Sequence, residues 1–175
     1  MILSPKDLTR HIKIVGKMHA KKPKEAANRF RKWDGETPYL LHPLWCMSTI
    51  AGEKLLDNYV RWRGMLVLLY HDVIEDTDGI LPEDLPEDVV SGIKHMTYES
   101  SDHERSVIWS KPVEIRLFKL YDKTSNLLDA FETDAEKITR NLDYIQSLIN
   151  DVEQNYGQLN IVIMAKSLLA AARCR

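Results

Sequence analysis

An apolar block, Met65-Leu66-Val67-Leu68-Leu69-Tyr70, runs without a turn signal into His71-Asp72-Val73-Ile74-Glu75-Asp76-Thr77, and this junction narrows the choice of fold more than any other stretch. A short apolar run reads either as a buried parallel strand or as a buried helix. The polar residues that follow keep helical spacing, and no glycine or proline intervenes, so the helix is the better reading. A helix that is apolar on nearly every side belongs in the middle of a domain. The spacing predicts one helix over Asn58 to Asp76.

The punctuation elsewhere is also helical. Ser4-Pro5 with Asp7 marks a helix start, because proline is tolerated in a first turn. That helix should run to about Lys22, ahead of Pro23. A basic stretch follows from Lys24 to Lys32, and Trp33-Asp34-Gly35-Glu36-Thr37-Pro38 reads as a loop. Tyr39 to Ala51 is apolar in helical phase and stops at Gly52. Leu81-Pro82-Glu83-Asp84 is expected to open a helix reaching about Tyr98. Ser101 with Glu104, and Thr133 with Glu136, have the spacing of capping boxes. Helices are expected over Val113 to Phe131, from Thr133 to about Tyr156, and from Gly157 onward. There is no useful alternating strand pattern, no repeat and no linker. The expectation is a single all-α domain over 1–175, built from about six to eight helices.

A chain of 175 residues can bury a core without disulfides. Its net charge of −2 offers no bulk basic surface for nucleic acid, so no nucleic-acid partner is expected. Cys46 and Cys174 are too few and too far apart for a disulfide framework or zinc knuckle, and Cys46 reads as a small core residue. No leader-like segment opens the sequence, and no window approaches the roughly 18 to 20 apolar residues of a membrane helix. A cytoplasmic location without membrane attachment is expected by default.

The chemistry concentrates where the apolar block ends. On a helix, His71 and Glu75 are neighbours one turn apart, and so are Asp72 and Asp76. All four can point into one cleft. Buried charge is costly unless it is paired or bound to a cation. An imidazole beside a carboxylate suits Mn, Fe, Co or Zn. The same pattern also describes a helix that simply becomes solvated at its carboxyl end, although acids there oppose the macrodipole. Other segments must therefore supply ligands. His42, in Thr37-Pro38-Tyr39-Leu40-Leu41-His42-Pro43, and Asp122, in Lys119-Leu120-Tyr121-Asp122-Lys123-Thr124-Ser125-Asn126-Leu127, are the candidates. Taken singly, such a histidine is usually a core or capping residue and such an aspartate is usually exposed.

Taken in order, H…HD…D resembles the HD-domain phosphohydrolases. The three blocks are similar to those of the RelA/SpoT-type hydrolase domain, especially the small stand-alone alarmone hydrolases. These carry TPY-x-x-HP, matched by Thr37 to Pro43. Their LLHD-x-x-EDT is matched by Leu68 to Thr77, with Tyr70 as an extra residue before His71. Their K-L-x-D-K-x-x-N-L is matched by Lys119 to Leu127. The resemblance runs from about Arg31 to Tyr144. It departs before that, because His19 lies further upstream than the family's histidine and Lys21 to Phe30 looks like a small insertion.

The resemblance implies one divalent ion, typically manganese, on His42, His71, Asp72 and Asp122. It implies acid-base and water-orienting work by Glu75 and Asp76, whose bland alternative is support of the histidine ligands. It implies a guanine nucleotide alarmone, guanosine tetra- or pentaphosphate, cleaved at the 3′ position to release pyrophosphate. Arg31, Lys32, Tyr39, Asn126, Arg140 and Tyr144 are the implied substrate contacts. The alternatives are hydrolysis of another nucleotide phosphate ester, or a non-catalytic helical module that binds a nucleotide.

Overall fold

The computed structural model describes residues 4–31, 34–129 and 135–174; side chains 27, 28, 129 and 135–138 lie outside that description. The described residues form α1 (Pro5–Lys21), α2 (Leu41–Ala51), α3 (Asn58–Tyr70), α4 (Val73–Asp76), α5 (Glu87–Met96), α6 (Ser101–Val107), α7 (Val113–Asp129), α8 (Ala135–Tyr156) and α9 (Asn160–Arg173). Single 3-10 turns stand at Ala26–Arg29 and Ile108–Ser110. Among the described residues there is no strand, only isolated bridges of Pro23 with Thr77 and of Phe30 with Pro38. The all-α expectation holds, and its helix number holds if the single turn α4 is counted as the continuation of α3. None of these helices is long and apolar enough to cross a membrane.

The apolar block forms the axis of the bundle. Leu66, Val67, Leu68, Leu69 and Tyr70 have no exposed surface. Helices α2, α5 and α7 pack around α3, and α8 with α9 packs against the outer side of α7. Cys46 is a fully buried core residue, as its apolar run implies, and Cys174 is an exposed free thiol. The packing is closest at Gly64, where an added Cβ would lie 2.7 Å from Phe118 Cε1 and closer still to Ile50. Alanine would gain about 1 kcal/mol of helix propensity there. Overpacking costs about 1–3 kcal/mol and should outweigh that gain. Gly64→Ala is therefore expected to unfold at lower urea than the parent, and equal midpoints would contradict this packing.

Several boundaries differ from expectation for local reasons. The helix expected over Asn58 to Asp76 turns at His71-Asp72, so α3 ends at Tyr70 and α4 resumes at Val73. The helix expected from Leu81 begins instead at Glu87, after Pro86 in extended conformation; the residue before a proline is held out of the helical region. Ser100, not Ser101, caps α6, accepting from the His103 N–H at 3.1 Å. Thr133 and the Glu136 side chain lie outside the described residues. Helix α9 has no local side-chain cap. Its first N–H, of Asn160, donates to Glu53 Oε2 at 2.7 Å, from a carboxylate 107 residues earlier that is 1% exposed.

Candidate active site

Three helices and one turn bring the expected ligands together. His42 sits in the first turn of α2, His71 and Asp72 form the turn closing α3, and Asp122 lies on α7. Ligand atoms of His42, His71 and Asp72 lie within 4.8 Å of one another. His42 Nε2 is 3.1 Å from His71 Nε2 and 3.3 Å from Asp72 Oδ2. Asp122 Oδ1 joins the group at 3.2 Å from His42 Nε2 and 3.6 Å from His71 Nε2.

The surroundings orient these atoms. His71 Nδ1 donates to the Leu68 carbonyl at 2.7 Å, so a neutral His71 turns its Nε2 lone pair into the cluster. His42 Nδ1 bonds Ser125 Oγ at 2.8 Å. Burial opposes a charged His71, but Asp72 and Asp122 outweigh it and push its pKa up to about 10. Burial also opposes the Asp72 carboxylate, yet His71 and His42 hold it well below its usual range. The cluster therefore favours positive charge at one point. His42, His71, Asp72 and Asp122 could hold a divalent ion there, which would take the place of the His71 proton; two imidazole nitrogens and two carboxylates are a donor set that suits a borderline transition ion.

Tyr39 and His19 flank this centre. The Tyr39 hydroxyl donates to Asp72 Oδ2 at 2.7 Å, and burial together with the Asp72 charge keeps that phenol protonated. His19 is 2% exposed and stacks on Tyr39, with centroids 4.8 Å apart and planes at 29°. Neither ring nitrogen of His19 has a hydrogen-bond partner. Burial draws its pKa down to about 4 against the pull of Asp72, so it stacks as a neutral ring. Its displaced position in the sequence hid this placement. The extra Tyr70 is structural: its hydroxyl meets His11 Nδ1 at 2.9 Å and ties α3 to α1.

Beside the cluster opens a cleft of about 790 Å³. Glu75, Asp76 and Asp72 line one side, and Lys119, Asp122, Lys123 and Asn126 line the α7 side. Glu75 accepts from the Tyr98 N–H. Burial and the Asp72 charge raise its pKa to about 7 despite that bond and Lys119. On α7, Lys119 Nζ lies 3.1 Å from Asp122 Oδ2 and 3.3 Å from Glu104 Oε2. Lys123 Nζ lies 2.9 Å from Glu104 Oε1 and 3.4 Å from Asp122 Oδ2. Glu104, expected to close a capping box, instead reaches from α6 to pin both lysines.

The expected substrate residues separate into two groups. Arg31 donates to Asn126 Oδ1 at 3.1 Å, and Asn126 donates to Asp122 Oδ1 at 2.8 Å. The Arg31 guanidinium lies 5.4 Å from the Tyr39 ring centre. Arg31, Tyr39 and Asn126 thus form one network joined to the Asp72 and Asp122 carboxylates. Arg140 is exposed on α8 and is absent from the cleft wall. Tyr144 is 7% exposed, edge-on to Trp109, and is likewise absent from that wall. Lys32 lies outside the described residues. A residue without any sequence signal enters instead: Lys24, from the apparent insertion, lines the cleft and donates from Nζ to the Ile74 carbonyl at 2.7 Å.

No family model and no curated protein matches the chain. A solved structure described as a metazoan ortholog of SpoT that hydrolyzes ppGpp and plays a role in starvation responses has a similar fold. The TM-score is 0.74 at 19% sequence identity, over 98% of this chain and 97% of that one. At that identity the likeness is one of fold.

Proposed function

We propose that this protein is a metal-dependent phosphohydrolase that removes the 3′-pyrophosphate from guanosine tetra- or pentaphosphate. The observation that carries the reading is the convergence of His42, His71 and Asp72, with Asp122, on the edge of a cleft that also holds a carboxyl group raised to about 7. The fold shared with a protein described as hydrolyzing ppGpp supports the choice of nucleotide.

A divalent ion bound here supplies Lewis acidity toward a phosphate oxygen and toward water. Manganese is the ion the sequence resemblance implies, and Fe, Co and Zn suit the same donors. Tyr39 fixes the Asp72 carboxylate, and Lys119 with Lys123 fixes Asp122 through its second oxygen. Asp76 orients the attacking water and takes its proton as the new bond between the water oxygen and phosphorus forms. Glu75, whose carboxyl pKa burial raises above the ordinary range, gives its proton to the departing 3′-oxygen as the bond between that oxygen and phosphorus breaks. Arg31, Tyr39 and Asn126 contact the nucleotide.

The test is a nucleotide panel incubated with and without manganese. Guanosine tetraphosphate should yield pyrophosphate and guanosine diphosphate only with the ion. Release of phosphate from nucleoside monophosphates, without pyrophosphate from the tetraphosphate, would replace the alarmone by another phosphate ester.

A further inference from the structure

The segment by which the sequence departs from its resemblance folds back onto the catalytic turn. Lys24 N donates to the Asp76 carbonyl at 2.9 Å, and Asp78 N donates to the Lys22 carbonyl at 2.8 Å. These bonds make the Pro23–Thr77 bridge and fasten the segment along α4. The fastening brings the Lys24 side chain into the cleft wall, with Nζ on the Ile74 carbonyl two residues past Asp72.

The charge balance of the cleft gives this placement meaning. Three lysines and six carboxylates line it. Lys119 and Lys123 face two carboxylates, Asp122 and Glu104, at 2.9–3.4 Å, so that pair is already neutralised within the wall. Lys24 is exposed and is held by a neutral carbonyl, which leaves its charge uncompensated by that contact. A bis-phosphorylated nucleotide with one phosphate end at the ligand cluster carries a second anionic end that needs a cation of its own. We propose that Lys24 is the binding residue for that second end, the phosphate group remote from the metal. The segment carrying it is then a specificity element selecting nucleotides phosphorylated at both 3′ and 5′ positions. This inference rests on the phosphohydrolase reading, and its test separates the two.

Equilibrium binding in EDTA and steady-state hydrolysis with manganese are measured for the parent, Lys24→Ala and Lys24→Arg. The probes are guanosine tetraphosphate and guanosine 3′-diphosphate lacking 5′ phosphates. Losing one charge-assisted contact should raise the tetraphosphate Kd about ten-fold in Lys24→Ala, and KM should rise far more than kcat falls. The 3′-diphosphate should show a ratio near one, and Lys24→Arg should restore most of the affinity. Unchanged tetraphosphate binding in Lys24→Ala, or an equal loss for both probes, overturns the proposal. Binding with the expected Lys24 ratio but no hydrolysis by the parent overturns the hydrolase reading and leaves Lys24 supported. No binding by the parent overturns both.

Discussion

His71→Ala is expected to lose its bound divalent ion and at least about 10³-fold in hydrolysis rate, since the Lewis-acid contribution is worth several kcal/mol and each 1.36 kcal/mol is ten-fold. The size of the effect follows from how few donor atoms the cluster offers. His71 Nε2 is within 3.1 Å of both His42 Nε2 and Asp72 Oδ2. Without it the cluster keeps one imidazole and two carboxylates, one of which, Asp122, already pairs with Lys119 and Lys123. Metal analysis of purified parent and variant, beside pyrophosphate release, reads the outcome. Equal metal content in both would remove His71 from the ligand set, whatever the activity.

Glu75→Gln is expected to retain its metal and to lose about 10²- to 10⁴-fold in rate, the usual contribution of a positioned proton donor. Glutamine keeps the shape and an oxygen for the Tyr98 N–H, so the fold is preserved. The pH profile carries the sign. A proton donor acts in its protonated form, so with Glu75 in the proposed role the parent's kcat/KM should fall as pH rises through the Glu75 pKa. Burial and Asp72 set that value at about 7, well above the ordinary 4.5. An ion in the cluster offsets the Asp72 charge, which moves the falling limb below that value in the loaded enzyme. The variant should lack the limb altogether. A variant with the parent's rate and limb would assign proton donation to another group.

What was legible in the sequence was local. The apolar block announced the central helix because complete burial needs apolar residues on every side, and Ser4-Pro5 and Gly157 marked true helix ends. The His71-Asp72 pair was legible as a possible cation site because charge beside an apolar run needs a partner, whereas His42 and Asp122 were joined to it only by the resemblance. What was hidden was set by distance along the chain. The α3 break at His71 falls where no glycine or proline announces it. Glu104 meets Lys123 across 19 residues and Lys24 meets Ile74 across 50, and neither separation leaves a spacing rule to read. Leu85-Pro86 was a readable helix start that the preceding Leu81-Pro82 obscured.

The spread of the ligands also governs when the site comes into being. His42 and His71 are 29 residues apart, and His42 reaches Ser125, beside Asp122, across 83. Only His71 and Asp72 are neighbours in a disordered chain, and two donors make a weak site. Closing the larger loop requires α2, α3 and α7 to have docked, so the cluster is among the last features available to a folding chain. A cation bound there would therefore recognise the finished bundle over its precursors and link three distant segments once they have met. Its binding free energy would add to the folding equilibrium and draw the population toward the form with the cluster assembled.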